Sequence, residues 1–245
     1  MKDYKTERVG KEFNTPYGKI IILEYLNANN ATIQFVNDGT ILTNVKFSTI
    51  KSGEIKNPNF KSKFGVGYLG QGVYNLVNSK KAYFTWANML ARCYKETSRH
   101  LAPTYKDVTV CEEWHNFQNF AKWFEENSIA GYHLDKDILC KNCKIYSPET
   151  CCFVPREVNN LILNGRYSKK INSCIGVQER NGKYKVRARL TGGEKYLGFF
   201  ESKETAKNVY IEAREKYIKE VAEKWKGKIA DNVYQSLINY KIDTL

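Results

Sequence analysis

The sequence predicts an α+β chain of several domains: an N-terminal β module, central helices closed by a strand–strand–helix unit, and a C-terminal three-stranded sheet packed on a helix. Three observations predict it. Short strand-like runs broken by turn residues fill residues 1–75. Aromatic and apolar residues recur at helical spacing through 81–128. Lys183-Tyr184-Lys185-Val186-Arg187-Ala188-Arg189-Leu190 then alternates cation with apolar residue, and a helical stripe follows it.

The expected boundaries are 1–78 for the β module, 79–163 for the central unit, 164–173 for a basic linker and 174–245 for the C-terminal domain. In the first, Gly18–Leu26 reads as a strong strand. Ala31–Val36 alternates, Asn37-Asp38-Gly39 turns and Thr40–Thr43 returns. Phe47–Gly53 reads as a further short strand and turn. Short strands with close turns suggest a small barrel of SH3-like type. Phe64–Gly70 is glycine-rich but precedes no helix start, which argues against a phosphate loop.

In the central unit, Phe84, Ala87, Met89, Leu90, Cys93 and Tyr94 form one amphipathic helix and Pro103 breaks the chain. Cys111-Glu112-Glu113-Trp114 opens a second helix, whose Phe117, Phe120 and Phe124 read as an aromatic core. Tyr132–Leu139 is expected as a strand, Lys144-Ile145-Tyr146 as its return, and Pro155 as the first turn of a helix running to Leu163. At the C-terminal end, Cys174–Arg180 and Lys195–Phe200 flank the alternating strand. Ser202 is the N-cap of a helix carrying Ala206, Val209, Tyr210, Ala213 and Tyr217.

The chain has 245 residues, 42% hydrophobic and 13% aromatic, enough for real cores. Its net charge is +13, spread unevenly. Residues 1–80 carry +5, residues 81–160 are balanced and residues 161–245 carry +8. Basic ends suit phosphate binding, and an acid-containing middle suits metal-dependent chemistry. No signal peptide or membrane-spanning run is read, and the seven cysteines do not space like a secreted framework. The expectation is a cytoplasmic protein with reduced thiols and no membrane partner. No Ser-His-Asp arrangement, Walker A motif or dinucleotide fingerprint stands in the sequence, so protease, kinase and dehydrogenase readings and a nucleotide cofactor have no support. Cys140-x-x-Cys143, with Cys151, Cys152 and Cys111, has a spacing that allows a structural zinc site, but without a second clean CxxC buried thiols are the expected reading.

Four cations on one pleat repel one another unless an anion lies against them, and the apolar row needs a core behind it. Ile175-Gly176-Val177, Lys183-Tyr184-x-Val186-Arg187-Ala188, Tyr196-Leu197-Gly198-Phe199-Phe200 and Glu204-Thr205-Ala206 with Tyr210 and Ala213 resemble the Apetala2-type DNA-binding domain. The resemblance implies that Arg180, Lys183, Lys185, Arg187, Arg189, Lys195 and Gln178 face double-stranded DNA. Tyr184 and Tyr196 stand where tryptophans are common in that family, so base preference does not carry over.

Leu134-Asp135-Lys136-Asp137-Ile138 and Ser147–Asn160 resemble the HNH, or ββα-metal, nuclease motif. With Val110–Trp114, the stretch 81–240 is similar to bacteriophage proteins of the HNH or homing-endonuclease type, which implies a phage or prophage origin. The resemblance implies one Mg²⁺ (or Mn²⁺) held by Asp135 and by Asn159 or Asn160, with Asp137 a further ligand, and hydrolysis of a phosphodiester. Lys136 replaces the family's histidine base. An exposed lysine stays protonated near neutral pH, and His133, two residues before Asp135, is the substitute. The expected function is therefore a metal-dependent endonuclease, or alternatively a DNA-binding protein that has lost cleavage and acts as a regulator or counter-defence factor.

Overall fold

The structure, a computed structural model, describes residues 7–97, 105, 107–163 and 176–242. The expected linker 164–173, with Cys174, Ile175, His100 and Pro103, lies outside the described residues. The fold is mixed α+β. It divides into two compact units: Met1–Pro103 with Glu112–Lys122, and Thr104–Cys111 with Trp123–Leu245.

In the first unit, β1 (Glu12–Thr15), β2 (Gly18–Asn27), β3 (Asn30–Phe35) and β4 (Ile41–Val45) form an antiparallel meander in that order. Ile20, Ile22, Ile33 and Phe35 are fully buried on one face. Among the described residues β4 does not pair back to β1, so the sheet stays open where an SH3-like barrel was expected. Phe47–Ser52 is a helix, α1, and not a strand. Ile50 drops into the core one helical turn after Phe47 reaches its edge, and Gly53 caps the end at φ 72°.

Helix α2 (Lys80–Tyr94) and α3 (Phe117–Asn127), preceded by a 3₁₀ turn at Glu112–His115, follow the expected aromatic spacing. The Trp86 indole donates to the Trp114 carbonyl at 2.7 Å, and both rings are fully buried. The glycine-rich run packs closely here. A Cβ on Gly67 would sit 2.4 Å from Leu90, and one on Gly70 2.1 Å from Asn116. Close approach of the backbone therefore requires these two glycines.

In the second unit, β5 (Thr109–Val110) pairs in parallel with β7 (Ile145–Tyr146), and β6 (His133–Asp135) pairs antiparallel with β8 (Cys152–Val154). Helix α4 (Arg156–Leu163) follows β8. Strand–strand–helix order is therefore present, but Lys144–Tyr146 is not the return strand of the hairpin; Cys152–Val154 is. The first strand stops at Asp135 because that carboxylate caps the following backbone and turns it away.

Strands β9 (Val177–Arg180), β10 (Lys183–Leu190) and β11 (Gly193–Phe200) form an antiparallel sheet in the order β11-β10-β9. Helix α5 (Lys203–Trp225) packs on one face, with Ser202 accepting from the Thr205 amide at 3.5 Å. Ala206 and Tyr210, near the start of α5, lie in one core with Val177, Val186 and Ala188. Ile218, Val221 and Ala222, near its end, lie in another with Val154, Val158 and Leu161 of the ββα unit and with Val233 and Leu237 of α6 (Asp231–Ile238). The ββα unit and the sheet thus lie within one compact unit. No helix among the described residues is long and apolar enough to cross a membrane.

Candidate nucleic-acid interface

The register of the C-terminal sheet fixes which side chains share a face, because directly paired residues point the same way. Val186 pairs with Val177, and Val186 and Ala188 are buried beneath α5. The alternate positions Lys183, Lys185, Arg187 and Arg189 turn outward. Arg180 and Gln178 pair with Lys183 and Lys185 and join that face. Six of the seven sequence-predicted contacts are therefore together. Lys195 is not among them. It pairs with Ala188, which assigns it to the helix side, although it remains exposed.

The reason is a β-bulge. Val186 pairs with Gly198 and Arg187 with Tyr196, leaving Leu197 as an extra residue. The bulge shifts the alternation of β11, so Tyr196 and Phe199 both reach the outer face, 57% and 48% exposed. Their rings sit 6.0 Å apart, and the Lys185 ammonium lies 5.8 and 5.9 Å from them. Strict alternation hides this pair; Gly198, at φ 134°, is the sequence signal that marks the bulge.

Acidic neighbours do not cancel the face. Arg187 meets Glu194 at 2.9 Å and Lys183 meets Glu201 at 2.6 Å, but all four side chains are about half exposed or more. The Glu201 carboxylate holds the Lys183 ammonium above the usual lysine range. Such exposed pairs are weak and yield readily to a stronger anion. Gly176, at φ 74°, supports the middle of the face. Its carbonyl accepts the Arg187 amide at 2.7 Å, and a Cβ there would meet the Arg187 carbonyl at 2.1 Å.

The ββα unit is arranged differently. Asp135 is buried, and its Oδ1 accepts the amides of Asp137 at 2.7 Å and Ile138 at 2.9 Å. Lys136 is also buried, contrary to the exposed lysine expected. Its ammonium donates to Asp137 Oδ1 and to the Cys143 carbonyl, each at 2.7 Å. A positive charge thus already sits against Asp137. His133 is exposed, Asn159 half-buried and Asn160 exposed. Among the described residues no group of three or more His, Cys, Asp or Glu side chains converges as metal ligands. An ammonium already held against Asp137, with Asp135 spent on two backbone amides, does not fit a resident divalent ion.

Cys140 and Cys143 form a disulfide, where reduced thiols were expected. The turn that closes with the Cys143 amide on the Cys140 carbonyl brings their Cα atoms to 5.4 Å. Cys151 and Cys152 are buried. Burial pushes the Cys151 thiol up to about 12 and raises Cys152 as well. Comparisons with described protein families, with curated proteins and with solved structures return no match.

Proposed function

We propose that this chain binds double-stranded DNA through the outer face of the β9–β11 sheet. One observation carries the reading: five cations and two exposed aromatic rings share a single sheet face whose other side is a closed core. Cations at this spacing neutralise phosphates and release counterions, while Gln178, Arg187 and Arg189 have the donors to address base edges. The Apetala2 resemblance of the same strands points to the major groove.

The test is binding of the full chain to duplex DNA, read by fluorescence anisotropy across a salt series. With four to five phosphates engaged, log K falls against log salt with a slope of about −4. A slope near zero, or no binding at low salt, overturns the reading.

Cleavage is the second reading. The strand–strand–helix order of β6, β8 and α4 favours it, together with the HNH resemblance of Asp135 and of Asn159 or Asn160. The Lys136–Asp137 pair weighs against it, because an ammonium stands where a cation would be needed. The non-cleaving protein is therefore placed first. Plasmid nicking in Mg²⁺ or Mn²⁺ that disappears in Asp135→Ala would reverse that order. Nicking gained only in Lys136→His would show a site that lacks nothing but its base.

A further inference from the structure

The loop between the glycine-rich run and α2 ends in an apolar tip that its own hydrogen bonds hold rigid. Val73, Leu76 and Val77 are 73%, 51% and 94% exposed. The backbone beneath them is tied down. Asn75 Oδ1 accepts the amides of Val77 at 2.8 Å and Asn78 at 3.1 Å. Asn78 returns the contact: its Oδ1 accepts the Asn75 amide at 2.9 Å and its Nδ2 donates to the Val73 carbonyl at 2.7 Å. Gln118 of α3 clamps the base of the loop, accepting from the Tyr74 amide at 3.0 Å and donating to the Tyr74 and Leu69 carbonyls at 2.9 Å. A Cβ on Gly72 would sit 2.2 Å from this Gln118 side chain.

Three branched apolar side chains in water gain nothing for the folded chain. A loop braced to present them makes sense as a contact, because a rigid tip loses little entropy on binding. What it contacts is indicated by its setting. Lys80 and Lys81 follow the tip directly, both exposed, and the first turn of α2 carries no acid. An apolar point backed by cations matches a polyanion with an apolar interior, the stacked bases of a duplex between its phosphates.

We propose that Leu76 and Val77 form a wedge that enters the minor groove of duplex DNA and unstacks a base step, while Lys80 and Lys81 hold the flanking phosphates. The proposal rests on the DNA reading above but uses a different surface. Wedges of this kind bend the duplex by roughly 20–90°.

The experiment uses the full chain and a duplex selected by the wild type from a random pool. Donor and acceptor dyes at its ends read the bend. The wild-type complex is expected to be bent. In the Leu76→Ser/Val77→Ser double variant the bend is lost and binding weakens about tenfold, with an unchanged melting temperature because the tip packs on no core. With both surfaces engaged the salt slope of the full chain is about −6, and Lys80→Gln/Lys81→Gln is expected to weaken binding and return it to about −4, that of the sheet alone. A straight wild-type complex, or a double variant that bends DNA equally, overturns the wedge and leaves the sheet reading standing. Absence of any duplex binding overturns both. Binding to phosphatidylserine vesicles that the double variant loses, with no change on DNA, assigns the tip to a membrane surface and overturns the proposal.

Discussion

The outer face of the C-terminal sheet and the β6–β8–α4 unit are both rich in charge, yet they use it in opposite ways. On the sheet, Lys185, Arg187 and Arg189 are held outward by a backbone whose stability comes from Val186 and Ala188 on the other side. In the ββα unit, Asp135, Lys136 and Asp137 are buried, hydrogen-bonded to the chain and to one another. Exposed charge is available to a ligand and contributes little to folding. Buried charge is committed to the fold, and removing one partner leaves the other stranded. Location, and not the number of charges, separates an interface from a scaffold.

The comparison can be broken most directly by reversing charge on the face. Lys185→Glu/Arg187→Glu/Arg189→Glu is expected to lower duplex affinity by about a thousandfold at moderate salt and to leave circular dichroism and melting unchanged; retained affinity in anisotropy would end the contrast. Next in size is Lys136→Met. It strands Asp137 and is expected to cost about 3–5 kcal/mol in urea unfolding, whereas Lys185→Met costs under about 0.5 kcal/mol. Equal costs would mean that the two lysines are not differently placed.

Gly176→Ala is expected to cost about 2 kcal/mol or more, because it strains a positive φ and drives a methyl into the Arg187 carbonyl and the Tyr210 ring. It is also expected to weaken duplex binding, since Arg187 is displaced. The smallest effect concerns Glu157. Hydrogen bonds from Lys224 at 2.7 Å and Trp225 at 2.8 Å hold its carboxyl below the ordinary value of 4.5. A depressed carboxyl stabilises the fold above its unfolded value, and the contribution is lost as pH falls through the folded one. Acid unfolding of Glu157→Gln is therefore expected to show a shallower loss of stability below pH 4.5 than the wild type. A wild-type slope in that window would discount the contact.

Much of the sheet was legible because strand alternation is a local signal. The positions from Lys183 to Leu190 divide between faces as their pattern requires. Lys195 was misplaced because one extra residue at Leu197 puts the two ends of β11 out of step, so that alternation carried back from Phe199 and Phe200 assigns Lys195 to the wrong face, and only Gly198 hints at the shift. Phe47–Ser52 was misread because a six-residue apolar run fits strand or helix equally, and the core contact of Ile50 decides it. The partner of β6 was missed because pairing is a long-range choice. Lys144–Tyr146 and Cys152–Val154 are both plausible returns, and β5 captures the first. Burial of Lys136 had no sequence signal at all: a lysine between two aspartates reads as surface.

Helix α5 has a consequence for how such a chain can be rearranged. Its opening turns belong to the sheet's core and its closing turns to the hairpin's. At the changeover Arg214, buried, donates to the carbonyls of Arg189 and Leu161. A recombination join placed in 164–173 would graft a foreign sheet and helix onto the ββα unit only if the incoming helix also matched the old unit's apolar surface. The exchangeable cassette is therefore the ββα unit and the sheet together, through α6, and a fragment ending midway along α5 would leave both halves without a roof.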